Sequence, residues 1–129
     1  MKLFVDDIRS APDSTWLTVR TVTEAIRYIS KFDFEEISLD HDISHYPVRA
    51  EDVTADTETY ACEETFQPVA YYIAAKYWQK LPDGLLSTQL CPKITLHTAN
   101  PNGAREMHHI LRDVGIDSII KPAIKDGPN

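Results

Sequence analysis

The sequence predicts an α/β domain, a three-layer sandwich around a five-stranded, mainly parallel sheet. Short apolar runs alternate along the chain with amphipathic helical segments, which is the pattern of parallel strands joined by helices. Four of the five apolar runs lead directly into polar groups. No internal repeat or linker divides the 129 residues. We therefore expect a single domain over 1–129, with an insertion loop at about 44–64.

Five short apolar runs define the strands. The first two lie close together, because only the polar, proline-containing segment from Ile8 to Trp16 separates them. A parallel crossover normally needs about a dozen or more residues. We therefore expect the first crossover helix to be shortened or absent, with an antiparallel or displaced second strand as the alternative. The predicted strands are Leu3–Val5, Leu17–Arg20, Ile37–Leu39, Ile94–Leu96 and Ser118–Ile120.

Three helices are predicted from their apolar faces and their start and stop signals. Thr21 and Glu24 have the spacing of a capping box, which predicts a helix start at this point. Pro68 suits the first turn of a second helix, which we expect to stop at Pro82 and Gly84. A third helix follows the turn at residues 97–103 and should end at Gly115.

Composition limits the classes of function. Thirteen basic and twenty acidic residues give a formal charge of −7, and no run of Lys or Arg offsets it, so an extended nucleic-acid-binding surface is not expected. Cys62 and Cys91 lack the spacing of a metal or redox motif. Asp6 and Asp7 interrupt the first apolar run before a signal peptide or membrane span forms. We expect a cytoplasmic protein without a membrane partner.

Acidic side chains follow two of the predicted strands. Asp6 and Asp7 come after the first, and Asp40 and Asp42 come after the third, with His41 between them. In an open parallel sheet the carboxyl ends of the strands converge on one crevice. Clustered carboxylates repel one another, and their oxygens suit a hard cation such as Mg²⁺ or Mn²⁺. The alternative is that these are solvated loop acids, which are common at strand ends.

Basic and polar groups follow the fourth and fifth predicted strands. His97 and Thr98 come after the fourth strand and Lys121 after the fifth. A histidine at this edge can exchange protons with a phosphate oxygen near neutral pH, although a structural histidine is the alternative. The turn from Asn100 to Gly103 precedes a helix whose free N–H groups suit an anion.

Three separated motifs resemble a known family. The pair Asp6-Asp7 after the first strand, Asp40 after the third, Thr98 after the fourth and Lys121 after the fifth resemble the response-regulator receiver domain, which has a flavodoxin-like fold of strand order 2-1-3-4-5. The segments 6–9 (Asp-Asp-Ile-Arg), 38–42 (Ser-Leu-Asp-His-Asp) and 97–103 (His-Thr-Ala-Asn-Pro-Asn-Gly) resemble more closely the cyclic-phosphate processing receiver domains. In receivers the acid pair binds Mg²⁺, the single aspartate accepts a phosphoryl group, and the Thr and Lys contact its oxygens.

The resemblance implies metal-dependent chemistry on a cyclic phosphate of an RNA end or a small nucleotide. Two alternatives stay open, a signalling receiver phosphorylated on Asp40 and a binder that sequesters a nucleotide. The implied metal ligands are Asp6, Asp7 and Asp40. The candidate catalytic residues are Asp40, His41, Asp42 and His97, and those for the phosphate are Arg9, Thr98, Asn100, Gly103 and Lys121.

The insertion loop is the last feature of the sequence. Six acidic residues lie between Glu51 and Glu64 with no Lys or Arg among them, and such a loop should oppose phosphate binding. A surface insertion is the simpler interpretation. A lid is the alternative, in which Tyr46 and Tyr60 stack on a base.

Overall fold

A five-stranded sheet carries the fold. The computed structural model describes residues 1–43, 65–80 and 90–122. Residues 44–64, with the predicted lid and its tyrosines, lie outside this range. The elements follow one another as β1 (Lys2–Val5), β2 (Trp16–Val19), α1 (Val22–Lys31), β3 (Glu36–Leu39), α2 (Gln67–Tyr77), β4 (Lys93–Thr98), α3 (Pro101–Arg112) and β5 (Ser118–Pro122).

The strand order is β2-β1-β3-β4-β5, and every neighbouring pair is parallel. The predicted fold class and strand order are confirmed. The segment from Asp6 to Thr15 contains no helix, as predicted, yet β2 still pairs parallel to β1 with Lys2 opposite Trp16. The antiparallel alternative for β2 was therefore wrong. A loop that bends at Asp13, whose carboxylate accepts the N–H of Thr15 at 2.8 Å, returns the chain without a helical turn.

The main core lies between one face of the sheet and the three helices of the described residues. Alternate strand residues such as Leu3, Ile37 and Ile94 lie in register on this face and are buried with apolar residues of all three helices. Every crossover after β2 moves in the same direction across the sheet, so right-handed connections place α1, α2 and α3 on one side. Within the described ranges, helices cover this face only.

The opposite face of the sheet is buried but more polar. Phe4 is 5 % exposed and lies outside the main core, although its neighbours in sequence belong to it. Ser38 is opposite Phe4 in the β1–β3 register, and Thr95 is opposite Ser38 in the β3–β4 register. His97 follows Thr95 on the same face, which leads toward the carboxyl ends of the strands.

Most predicted helix ends are confirmed. Thr21 accepts the N–H of Glu24 with its side chain, and Asn100 caps α3 in the same way through Gly103. Gly115 has φ of 80°, and its N–H and that of Ile116 bond to the carbonyls of Arg112 and Leu111, which is a Schellman motif.

The end of α2 was predicted too late in the chain. The helix stops at Tyr77, before Pro82 and Gly84. The N–H groups of Gln79 and Lys80 instead bond to the carbonyl of Val114, at 2.6 and 2.8 Å. These tertiary bonds draw the chain toward the end of α3 before the proline is reached.

None of the helices in the described ranges is both long and apolar enough to cross a membrane.

Candidate functional site

Three carboxylates meet at the carboxyl ends of the two adjacent strands β1 and β3. Val5 and Leu39 are the last paired residues of these strands, so Asp6 and Asp40 leave the sheet side by side. One ligand oxygen from each of Asp6, Asp7 and Asp40 lies within 4.8 Å of the others. The convergence that the strand ends predicted is therefore present.

Asp6 is the most constrained member of the cluster. Asp6 is fully buried, and its Oδ1 accepts the N–H groups of Ile8 and Arg9 at 3.0 and 2.9 Å. Its Oδ2 lies 2.9 Å from Nε2 of His97. Burial alone would raise the pKa, but the hydrogen bonds from His97 and from the Arg9 and Ile8 backbone outweigh it and lower the pKa of Asp6 to about 2. Asp6 is therefore a carboxylate at every physiological pH.

The pKa of Asp40 is shifted in the opposite direction. Burial and the adjacent Asp6 charge raise its pKa to about 6, against a hydrogen bond from the His41 N–H and the positive charges nearby. That N–H lies 2.8 Å from Oδ1 of Asp40. The two carboxylates thus have pKa values pushed in opposite directions, which is common where acid–base or metal chemistry occurs.

Arg9 joins these two carboxylates. Its Nη1 lies 3.3 Å from Oδ2 of Asp6 and 3.3 Å from Oδ2 of Asp40. The backbone of Arg9 is fixed separately, since its carbonyl accepts Nη1 of Arg20 at 2.6 Å. The same Arg20 atom also donates to the carbonyl of Asp6 at 3.1 Å, which ties together both ends of the turn. Arg9 thus lies at the acid cluster with its main chain anchored.

His97 belongs to β4 and is 8 % exposed. Its ring stacks on Phe4, with centroids 4.4 Å apart and an interplanar angle of 9°. Nδ1 lies 2.6 Å from Oγ of Ser38, and Nε2 faces Asp6. Because an ionised Asp6 only accepts hydrogen bonds, Nε2 carries the hydrogen. Both ring nitrogens are thereby engaged within the protein.

His41 forms a second carboxylate–imidazole pair. Its Nδ1 lies 2.6 Å from Oδ1 of Asp42, which places the hydrogen on Nδ1 and leaves Nε2 as the acceptor. Nε2 lies 3.4 Å from Nε2 of Gln67 and 3.9 Å from Oε2 of Glu106. The His41 side chain is 6 % exposed and that of Glu106 is 60 % exposed, so this nitrogen is buried beneath a solvent-exposed carboxylate. Compared with His97, His41 has one loosely held nitrogen.

The turn before α3 serves the helix itself. Oδ1 of Asn100 accepts the N–H of Gly103 at 3.0 Å, and Pro101 has no N–H. Among the first three helical residues, only Asn102 therefore has an N–H that could bind an outside anion. Nδ2 of Asn100 donates to Asp42 at 3.2 Å. Oγ1 of Thr98 accepts the N–H of Asn100 at 3.1 Å. These residues therefore lie beside the His41–Asp42 pair and position it.

Lys121 lies apart from the acid cluster in its contacts. Its backbone is opposite His97 in the β4–β5 register, which places it at the correct edge of the sheet. Lys121 is exposed, and it makes no ion pair with any residue of the described ranges. Its predicted role at the phosphate stays a prediction.

A comparison with family models decides the family. The model of the cyclic-phosphate processing receiver domain matches residues 1–113. The chain belongs to this family. Comparisons with curated proteins and with solved structures gave no match. The match covers β1 to α3 and therefore every site residue described above except Lys121.

The acid cluster of this receiver domain fits a hard divalent cation by its chemistry. Asp6, Asp7 and Asp40 supply only oxygen ligands, and their ligand atoms are close enough to share one ion. Arg9 already bridges two of the three carboxylates. The donor set fits the metal, whereas the guanidinium competes for the same oxygens.

Several residues of the receiver site were missed in the sequence. Ser38 gave one usable signal, since it is a polar residue in the middle of a buried strand and such groups need a partner. Arg20 stands at the end of β2 next to the acid-bearing turn, but nothing in its spacing indicates that it binds the backbone there. Gln67 and Glu106 reach His41 from separate helices, so local sequence carried no signal for them.

Proposed function

We propose that this receiver domain is a metal-dependent enzyme that opens or hydrolyses a cyclic phosphate of an RNA end or a small nucleotide. The observation that carries the proposal is the meeting of Asp6, Asp7 and Asp40 at the ends of β1 and β3. The family description supports the substrate class. Mg²⁺ or Mn²⁺, when bound by these three residues, would supply a positive charge that offsets charge developing on the phosphoryl oxygens.

Proton transfer is assigned to His41. Asp42 fixes its Nδ1 hydrogen, and Nε2 is the loosely held acceptor described above. In hydrolysis the water oxygen bonds to phosphorus and gives its proton to Nε2 of His41. One ester P–O bond of the ring breaks, and the departing oxygen takes a proton back from the imidazolium. The product is a phosphomonoester, and no other reactant is needed.

His97 has a different role in this proposal. Its ring nitrogens are engaged by Asp6 and Ser38, so it acts by holding Asp6 ionised and oriented. Asp6 then presents a fixed negative charge beside Asp40, and burial together with this charge raises the pKa of Asp40 to about 6. His97 is therefore a positioning residue for the acid cluster.

The direct test is turnover. The purified protein with Mg²⁺ or Mn²⁺ is incubated with a panel of cyclic nucleotides and RNAs that end in a cyclic phosphate, and products are followed by mass and by ³¹P NMR. We expect a phosphomonoester product that chelation abolishes. If no member of the panel is turned over with either metal, the proposed function is wrong.

Matched histidine variants locate the reaction. His41→Gln should lower kcat by about two to three orders of magnitude, in the range that general acid–base catalysis supplies. His109→Gln is the control, since His109 is exposed on α3 outside the site. Equal activity of the two variants would remove His41 from the mechanism. A substrate that binds but is recovered unchanged would instead identify the domain as a nucleotide binder.

A further inference from the structure

We propose that Arg9 is an exchangeable internal cation. Without metal its guanidinium holds Asp6 and Asp40 together, and when a divalent cation binds these acids the guanidinium moves to the substrate phosphate. The inference rests on the proposed function, because it assumes that the acid cluster takes a metal. It adds an order to the reaction, in which the metal binds first and the phosphate second.

The first support is the contrast between the two ends of Arg9. The main chain is anchored on both sides, by its N–H at 2.9 Å from Asp6 Oδ1 and by its carbonyl at 2.6 Å from Arg20. The guanidinium makes two contacts of 3.3 Å, which is longer than the usual ion-pair hydrogen bond of about 2.8 Å. The backbone is therefore fixed while the charged end is loosely bound.

A second support is an unsatisfied donor. Nε of Arg9 is buried and has no hydrogen-bond partner in the described ranges. A buried N–H without an acceptor is costly, so the present position of the side chain does not use all of its donors. A phosphate offers several acceptor oxygens and suits the planar fork of a guanidinium. A phosphate oxygen would therefore give Nε of Arg9 the acceptor that it lacks.

A divalent cation and Arg9 would compete for the same two carboxylate oxygens. Oδ2 of Asp6 and Oδ2 of Asp40 both face the same Nη1 atom, so a cation coordinated by these oxygens competes with Arg9 for them. A divalent ion brings twice the charge of the guanidinium to the same acids. Once it is bound, the displaced Arg9 remains tethered beside the cluster by Arg20. The tether keeps the guanidinium close to the acid cluster, within the reach of one side chain.

The test compares the wild-type chain with Arg9→Gln and Arg9→Lys, and with Arg27→Gln as a control on the exposed face of α1. Mg²⁺ affinity is measured by calorimetry at a pH well above 6, where Asp40 is ionised. Affinity for inorganic phosphate is measured in saturating Mg²⁺. In the wild type, the side-chain ¹⁵N signals of Arg9 are followed during the Mg²⁺ titration.

We expect Arg9→Gln to bind Mg²⁺ about tenfold more tightly than the wild type and to bind phosphate about tenfold more weakly, within the usual range of coupling between sites. Both affinities of Arg9→Lys should lie between those of Arg9→Gln and the wild type, and those of Arg27→Gln should match the wild type. The Arg9 signals should shift with Mg²⁺ alone. This last measurement uses the wild-type chain and decides the matter even if Arg9→Gln does not fold.

The opposing outcomes are distinct. Mg²⁺ binding that is unchanged or weaker in Arg9→Gln, or Arg9 signals that do not respond to Mg²⁺, would overturn the exchange while leaving the metal site intact. Phosphate affinity unchanged in Arg9→Gln would overturn the transfer to substrate. A wild-type chain that binds neither Mg²⁺ nor Mn²⁺ would overturn the proposed function, and the exchange with it.

Discussion

The backbone of Gly103 lies directly against the imidazole of His41. A Cβ built on Gly103 would overlap Cγ and Nδ1 of the His41 ring. Nδ1 is the atom that bonds to Asp42, so the contact bears on the pair to which we assign proton transfer. Gly103, in the turn predicted to bind phosphate, thus leaves space for the ring of His41, which follows β3.

Gly103→Ala should therefore displace His41 and lower turnover by roughly a hundredfold, the usual cost of misplacing a reacting group by about 1 Å. Gly115→Ala is the matched control, because Gly115 has φ of 80° and lies outside the site. It should cost about 1–2 kcal/mol of stability with little change in turnover per folded molecule. Steady-state kinetics and thermal unfolding of both variants check this. Full activity of Gly103→Ala would contradict the role given to the contact.

The pH dependence of stability should have opposite slopes in two windows. The pKa of Asp40 is raised from 3.8 to about 6, so the folded state binds this proton more tightly than the unfolded state. The free energy of unfolding of metal-free protein should fall as pH rises from about 4 to about 6. The pKa of Asp6 is lowered from 3.8 to about 2, so its contribution is lost as pH falls through that lower window.

Urea unfolding at a series of pH values, in the presence of a chelator, measures both slopes. Asp40→Asn should remove the fall between about 4 and about 6 and leave the acid-side loss intact, since Asp6 is unchanged. Identical pH profiles for wild type and Asp40→Asn would show that Asp40 is not the group responsible.

Ser38→Ala should destabilise the fold through His97. The hydroxyl lies 2.6 Å from Nδ1, and both residues are buried, so the change leaves an imidazole nitrogen without a partner. Such a loss costs about 1–3 kcal/mol. Ser30→Ala on the exposed face of α1 is the control and should stay within about 0.5 kcal/mol. Chemical unfolding of both variants compares them, and equal stabilities would mean that the Ser38 bond contributes nothing.

Phosphorylation of Asp40 by a small phosphodonor is not expected. Oδ1 of Asp40 already accepts the His41 N–H, and Thr98 uses its hydroxyl oxygen within the turn before α3. Intact-mass analysis after treatment with acetyl phosphate should show no adduct. An adduct that disappears in Asp40→Asn would favour a signalling receiver over the enzyme.

The sequence predicted the parts of the fold that local pattern determines. Asp6 and Asp40 were placed together correctly because parallel strands deliver their carboxyl ends to one edge, whatever the side-chain details. The cap at Thr21 and the stop at Gly115 were equally local. By contrast, α2 ends at Tyr77 through bonds to Val114, which lies far away in sequence.

The site was predicted less completely than the fold. His97 was expected just beyond its strand, but it pairs with Lys121 within the sheet, and its partners Ser38 and Phe4 come from other strands. The bridge formed by Arg9 depends on where a long side chain folds back, which spacing does not encode. The turn at Asn100 satisfies its own N–H groups, and only the hydrogen bonds reveal this.

The absence of a helix between β1 and β2 has a consequence for the order of folding. Asp6, Asp7 and Arg9 lie within one short turn, so their contacts close a small loop and cost little loop-closure entropy. Asp40 arrives only when β3 docks on β1, across a separation of more than thirty residues. Cation binding by all three acids therefore begins at that docking step. The rate at which refolding protein gains Mn²⁺ affinity should report the pairing of β1 with β3 rather than the collapse of the core.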